Sequence, residues 1–224
     1  MKRLTNKMNK TLLITMPKYD DGTEYLSYYA SLVEKKAEEL NIDKKSFKEG
    51  DITANNVSKY IKKKDPKLIF VNGHGDADSL EGDEGEVIFS IEKNINLLRD
   101  RIVYARACHA GISFGKKMVE ENNGCFIGYK TPFSFWMDER NSAVPAKDKT
   151  AKLFLEPSNE VVISLIKGNT AKEADKKSKK MMVDNMSKIL KMQEKDEPGA
   201  IGWLEILWNN FEGQILYGNE EATF

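Results

Sequence analysis

Two side chains in this sequence have the types needed for acyl-transfer chemistry and sit in matching local settings. Cys108 lies in the stretch Ile102 to Gly111, I-V-Y-A-R-A-C-H-A-G, and His74 lies in Lys67 to Gly75, K-L-I-F-V-N-G-H-G. Each stretch is rich in β-branched and aromatic residues and then runs into small residues and glycine, the pattern of a buried strand ending in a tight turn. A free thiol has a pKa of about 8.5, the thiolate is the nucleophile, and a neighbouring imidazole favours it. The turn after the thiol is expected to open a helix, so the backbone amides of Cys108 and Gly75 are candidates to face a developing oxyanion. Gly73, Gly75 and Gly111 would let the backbone turn sharply and a substrate approach. Such a site suits acyl transfer from an amide.

The chemistry requires that the two strands be neighbours. In a parallel sheet adjacent strands lie about 4.8 Å apart, so groups just past their C-terminal ends meet in one crevice. A lone cysteine in an apolar run is usually inert core. The pairing is more telling, because the chain has only two histidines and two cysteines and both candidates occupy strand ends flanked by glycine or small residues. Cys125, inside its own apolar run, is read as core. His109 follows Cys108 directly and competes with His74 as base, but adjacent side chains rarely point at each other.

The remaining sequence must build the scaffold. With 224 residues and 40% hydrophobic content, the chain can bury a substantial core, and it reads as an extension over residues 1–10 followed by one domain over residues 11–224. Thirty-five basic residues balance thirty-five acidic ones, which argues against nucleic acid or membrane as partners. There is no apolar run approaching the roughly 20 residues of a membrane span and no secretory leader pattern, so the expected compartment is the cytoplasm. There the two cysteines are expected to be free thiols.

Thr11 to Met16 reads as a first strand closed by Pro17. Tyr25, Leu26, Tyr29, Leu32, Val33, Ala37 and Leu40 recur at helical spacing, with Thr23 as a plausible cap. Residues 41–50 are polar with a short strand possible around Phe47, and Asp51 or Thr53 opens a second helix that ends at Pro66. An acidic loop follows the histidine strand from Asp76 to Glu86, then a short strand or hairpin over Val87 to Ile91. A helix is expected from Gly111 to Glu121, a strand over Cys125 to Tyr129, and a long loop over Thr131 to Ala151. Helices over Ala151 to Lys167 (with a break at Pro157), Thr170 to Met192 and Ala200 to Phe211 (the last well buried) lead to a final strand at Gln214 to Tyr217. This alternation predicts an α/β fold with a mostly parallel sheet and helices on its faces.

N-G-H-G after one strand and A-C-H-A-G after the next resemble the caspase-like cysteine peptidases, a group that includes caspases, metacaspases, gingipains, separases and bacterial CHAT domains. C-H-A-G most resembles the C-H-S-G of metacaspases, and Leu216 to Asn219, L-Y-G-N, is similar to a closing L-Y-G-D of gingipain-like and CHAT sequences. The likeness runs from roughly Thr11 to Tyr129 and more weakly beyond. It implies a three-layer caspase-like sandwich and a cysteine endopeptidase with His74 as base, Cys108 as nucleophile and no obligatory third member. Its partners would be a protein or peptide substrate and, in some cases, a regulatory protein; no cofactor is required.

The resemblance also frames specificity. Arg106 stands where metacaspases carry an acidic residue that helps recognise a basic substrate residue. It would favour an acidic one instead, or serve as an ion-pair partner of the acidic loop. Arg106 and Asp76 are the candidate substrate-contacting residues. The acidic loop could hold Ca²⁺, although its carboxylates lack a recognisable ligand spacing and a solvated loop is the better reading. A class I glutaminase-like hydrolase is disfavoured because its histidine follows the cysteine. A silent caspase-like docking or signalling module is the non-enzymatic alternative.

Overall fold

The structure, a computed structural model, describes residues 10–120, 123–141 and 144–224. The extension expected over residues 1–10 lies, as far as Asn9, outside the described residues. In chain order the elements are β1 (Thr11–Met16), α1 (Asp21–Glu39), β2 (Asp43–Lys48), α2 (Ala54–Lys64) and β3 (Leu68–Asn72), then a small antiparallel hairpin of β4 (Ser79–Glu81) and β5 (Val87–Ser90). There follow β6 (Ile102–Arg106), α3 (Phe114–Val119), β7 (Cys125–Tyr129), α4 (Lys149–Ile166), α5 (Ala171–Gln193), α6 (Ala200–Gly213) and β8 (Gln214–Gly218). The main sheet has the order β2-β1-β3-β6-β7-β8, parallel throughout except for β8, which pairs antiparallel with β7 at the edge.

The period of two along each strand divides the core into two layers. On one face Leu12, Ile14, Leu68, Phe70, Ile102, Tyr104, Cys125 and Ile127 pack under α1, α4, α5 and α6. On the other face Leu13, Ile69, Val71, Val103, Ala105 and Phe126 pack under α2, α3 and the hairpin. The result is the three-layer α/β sandwich that the alternating pattern predicts. β1, β3, β6 and β7 lie between other strands and are buried along their whole length, which explains why they read as apolar runs and not as alternating ones.

Several local features differ from the sequence expectation, each for a physical reason. The cap of α1 is Asp20; Thr23 sits at the third helical position and completes a reciprocal capping box with it. α3 spans only Phe114–Val119, because the chain from Ala107 to Ser113 is spent in turns. α6 continues to Gly213 but is not buried all round: Ile201 and Trp208 are exposed.

Pro157 does not interrupt α4. Proline has no N–H, so the Leu153 carbonyl four residues earlier loses its helical donor. Asn185 on α5 replaces it, donating from Nδ2 to the Leu153 carbonyl at 2.8 Å. Asn185→Ala should therefore destabilise the fold by about 1–2 kcal/mol. In a Pro157→Ala background, where residue 157 regains a donor, the same change should cost markedly less. Urea unfolding of the four proteins of this cycle measures the coupling, and equal costs in both backgrounds would contradict it.

Candidate active site

The strands that carry His74 and Cys108 are neighbours. β3 and β6 pair in parallel from Leu68↔Ile102 to Asn72↔Arg106, so each candidate lies two residues beyond the last matched pair. The ends of the strands are pinned together by polar side chains. Asn72 donates from Nδ2 to the Thr15 carbonyl at 2.8 Å and accepts at Oδ1 from Arg106 Nε at 2.8 Å, joining β1, β3 and β6. The turns beyond are close as well: a Cβ placed on Gly75 would stand 3.2 Å from the Cβ of Ala107 and 2.9 Å from the Ser79 carbonyl. Gly73 has φ +146°, a conformation that side chains strain against. His74 and Cys108 line one pocket of about 80 Å³ together with Gly22, Thr23, Leu26, Phe133 and Phe135.

A third strand end contributes a residue that the sequence reading did not single out. His74 Nε2 lies 2.7 Å from Asp20 Oδ2. Asp20 follows β1, so Asp20, His74 and Cys108 come from the C-terminal ends of β1, β3 and β6, three consecutive strands of the sheet. The carboxylate is held by its own helix cap, Oδ1 accepting from the Thr23 N–H at 2.6 Å. Burial raises the Asp20 pKa, but the hydrogen bonds from His74 and Thr23 outweigh it and leave the group below its ordinary value. An ionised carboxylate only accepts, so in the neutral imidazole Nε2 carries the proton and Nδ1 the lone pair. Tyr19 packs at 5.8 Å between ring centroids against the same imidazole, whose side chain is 52% exposed.

Cys108 is half-buried, and among the described residues its one polar contact is the Phe133 carbonyl, 3.9 Å from Sγ. Burial raises its thiol pKa above the ordinary value, against a smaller opposing contribution from the Phe133 backbone. No hydrogen bond joins His74 to Cys108 in this geometry, so the thiol at rest is protonated at neutral pH. Long catalytic hydrogen bonds are common before substrate arrives.

Among the described residues the backbone N–H groups of Gly75 and Cys108 donate to no other group, whereas the neighbouring N–H of His109 is engaged by the Thr131 carbonyl at 3.2 Å. His109 has a left-handed φ of +59° and does not line the pocket. The expected helix does not begin at the thiol: α3 starts at Phe114, so a helix dipole is not part of this site. Cys125 is fully buried within β7.

Arg106 does not reach outward. It is 0% exposed, with Nε on Asn72, Nη1 on Ser158 Oγ and Asn159 Oδ1 at 3.0 Å, and Nη2 on the Leu26 carbonyl at 2.7 Å. Burial pushes its pKa down to about 10. It lines the pocket of Cys108 from this buried position, and its bonds go to Asn72, Leu26, Ser158 and Asn159, not to a residue of the acidic loop. Asp76 lies outside the pocket of Cys108, its Oδ1 accepting from the N–H groups of Asp78 and Ser79. The loop's carboxylates tie it to the entry of α2, Asp83 accepting from Ile52 N–H and Glu86 from Ala54 N–H. Among the described residues no cluster of three or more His, Cys, Asp or Glu could hold a metal ion, and no helix is long and apolar enough to cross a membrane.

Against solved structures, the chain is similar to the Arg-specific cysteine proteinase gingipain R (RgpB), with a TM-score of 0.66 and 10% identity, covering 97% of this chain and 48% of that one. It is likewise similar to the complex of Porphyromonas gingivalis RgpB pro- and mature domains, with a TM-score of 0.63 and 10% identity, covering 97% and 49%. The fold is caspase-like. At this identity the likeness concerns the fold alone, and the caspase-like chain spans about half the length of the structures it matches. No protein-family model and no curated protein matches the sequence.

The raised pKa of the Cys108 thiol has a direct consequence. Alkylation of Cys108 by iodoacetamide should rise with a midpoint above the ordinary thiol value of about 8.5. Because the two side chains are uncoupled at rest, His74→Ala should leave that midpoint within a few tenths of a pH unit. Reaction already at its plateau near neutral pH would show a preformed thiolate and contradict this geometry.

Proposed function

We propose that this chain is a cysteine endopeptidase in which Cys108 is the nucleophile and His74 the base. The observation that supports it most is the β3–β6 register, with each residue two positions past the last matched pair and both on the lining of one pocket. When a peptide occupies the groove, the Cys108 thiol passes its proton to His74 Nδ1, and Sγ bonds to the carbonyl carbon. The carbonyl π electrons move to oxygen, which the N–H groups of Gly75 and Cys108 stabilise. As the tetrahedral species collapses, the C–N bond breaks and the imidazolium gives its proton to the leaving amine. A thioester remains. Water then attacks it with His74 as base, and Sγ leaves and recovers the proton.

Asp20 acts through His74. By holding Nε2–H it orients the ring with Nδ1 unprotonated, and its negative charge favours the imidazolium that forms. It is a positioning residue. The reaction belongs in a reducing compartment, where both cysteines remain thiols, and a protein partner that gates the groove is consistent with the half-exposed histidine.

The test is labelling by peptidyl acyloxymethyl ketone probes combined with turnover of a fluorogenic peptide library. Cys108→Ala should abolish labelling. His74→Ala should lower kcat by about 10⁶-fold, the scale of losing a triad base. Asp20→Asn should lower kcat on the order of 10²-fold with KM little changed, and Asp20→Glu should recover part of it. Labelling at another residue, or turnover that survives loss of His74, would contradict the assignment.

A further inference from the structure

The pocket beside Cys108 is built for a side chain without charge. Its wall consists of Leu26, Phe133, Phe135 and Ala107, with Gly22 and Thr23 at one edge. Polar groups at this border are already engaged within the protein. The Thr23 hydroxyl donates to the Asp20 carbonyl and accepts from the Asp20 N–H. Arg106 borders the pocket, but all three guanidinium nitrogens donate to protein acceptors, and its cation lies 5.1 Å over the Phe70 ring. Among the described residues no acidic side chain lines the pocket, and the two carboxylate oxygens of Asp20, next to it, serve His74 and Thr23.

From this we infer that the pocket selects a short aliphatic residue, of the alanine-to-valine class, on the acyl side of the bond attacked by Cys108. The inference rests on the peptidase reading and adds the substrate class to it. Size sets the upper limit. A dry cavity of 150 Å³ accommodates benzene, and about 80 Å³ is roughly half of that. Charge excludes the rest. A lysine or arginine would be desolvated beside the buried Arg106 cation, with the nearby Asp20 carboxylate already engaged by His74 and Thr23. An aspartate would meet a fully buried guanidinium with four of its five N–H groups bonded within the protein, so it would lose its water for at most one hydrogen bond. One misfitted methylene in an apolar pocket changes kcat/KM by about 10–200-fold, and an unpaired charge changes it by more.

Phe135 is one of the two aromatic side chains of the pocket wall. It is only partly buried, so its truncation spares the core. The experiment measures second-order labelling rates of the full chain with peptidyl ketone probes that differ only in the residue next to the ketone: alanine, valine, leucine, phenylalanine, aspartate, arginine and lysine. Alanine and valine probes should react at least tenfold faster than leucine or phenylalanine probes and more than 10²-fold faster than the charged ones. In Phe135→Ala the optimum should move to leucine or phenylalanine, with cooperative urea unfolding retained as the check that the fold is intact. Preference for aspartate would mean that the charge of Arg106 reaches the substrate, and preference for arginine or lysine that the pocket lies elsewhere; either overturns the inference and leaves the peptidase reading in place. Failure of every probe, with Cys108 still reactive to iodoacetamide, would overturn both.

Discussion

The hydrogen bond from Arg106 Nε to Asn72 Oδ1 is the contact on which this site depends. It joins the last matched pair of β3 and β6, and a slip of one residue would turn His74 and Cys108 to opposite faces. Hydrophobic packing alone fixes such a register loosely in a fully buried sheet, because both faces of every strand are apolar. A buried guanidinium fixes it sharply, since it must find acceptors in one arrangement. Arg106 finds them on β3, on the Leu26 carbonyl of α1, and on Ser158 and Asn159 of α4. Asn159 in turn donates to the Tyr29 carbonyl, so one polar knot binds the sheet to the two helices that cover it.

That arrangement explains the geometry at the strand ends. Three successive strands each finish in a turn, and each turn holds one of Asp20, His74 and Cys108. The histidine is oriented by a carboxylate which is itself fixed as a helix cap, so its aim does not rely on a mobile loop. The thiol, by contrast, is kept neutral by partial burial. In the proposed reaction the proton moves only once substrate has closed the gap between sulfur and imidazole, which keeps a nucleophilic thiol unreactive in the free protein.

Much of this was legible in the sequence. The alternation of strands and helices follows from periodicity, and the paired turns N-G-H-G and A-C-H-A-G mark where reactive groups leave the sheet. The order of the strands is not written in local pattern, nor is the edge position of β8. Asp20 was missed because D-D-G-T reads as an ordinary turn; its capping box with Thr23 and its place after a buried strand were the signals available. The buried setting of Arg106 was illegible for a different reason. Its charge and its place two residues before the cysteine suggest substrate contact, whereas its actual acceptors at Leu26, Ser158 and Asn159 lie 80, 52 and 53 residues away. Pro157 likewise reads as a helix break until Asn185 is seen to serve the carbonyl it leaves open.

The central claim is that the Cys108 sulfur, the His74 imidazole and the amides of Gly75 and Cys108 surround one reacting carbonyl. A crystal structure of the protein with a peptide aldehyde tests it most directly. The account expects a hemithioacetal on Cys108 Sγ, with its oxygen about 3 Å from the Gly75 and Cys108 nitrogens and His74 Nδ1 turned toward the sulfur. An adduct whose oxygen points to solvent, or a His74 ring that stays out of reach of the sulfur, would contradict it.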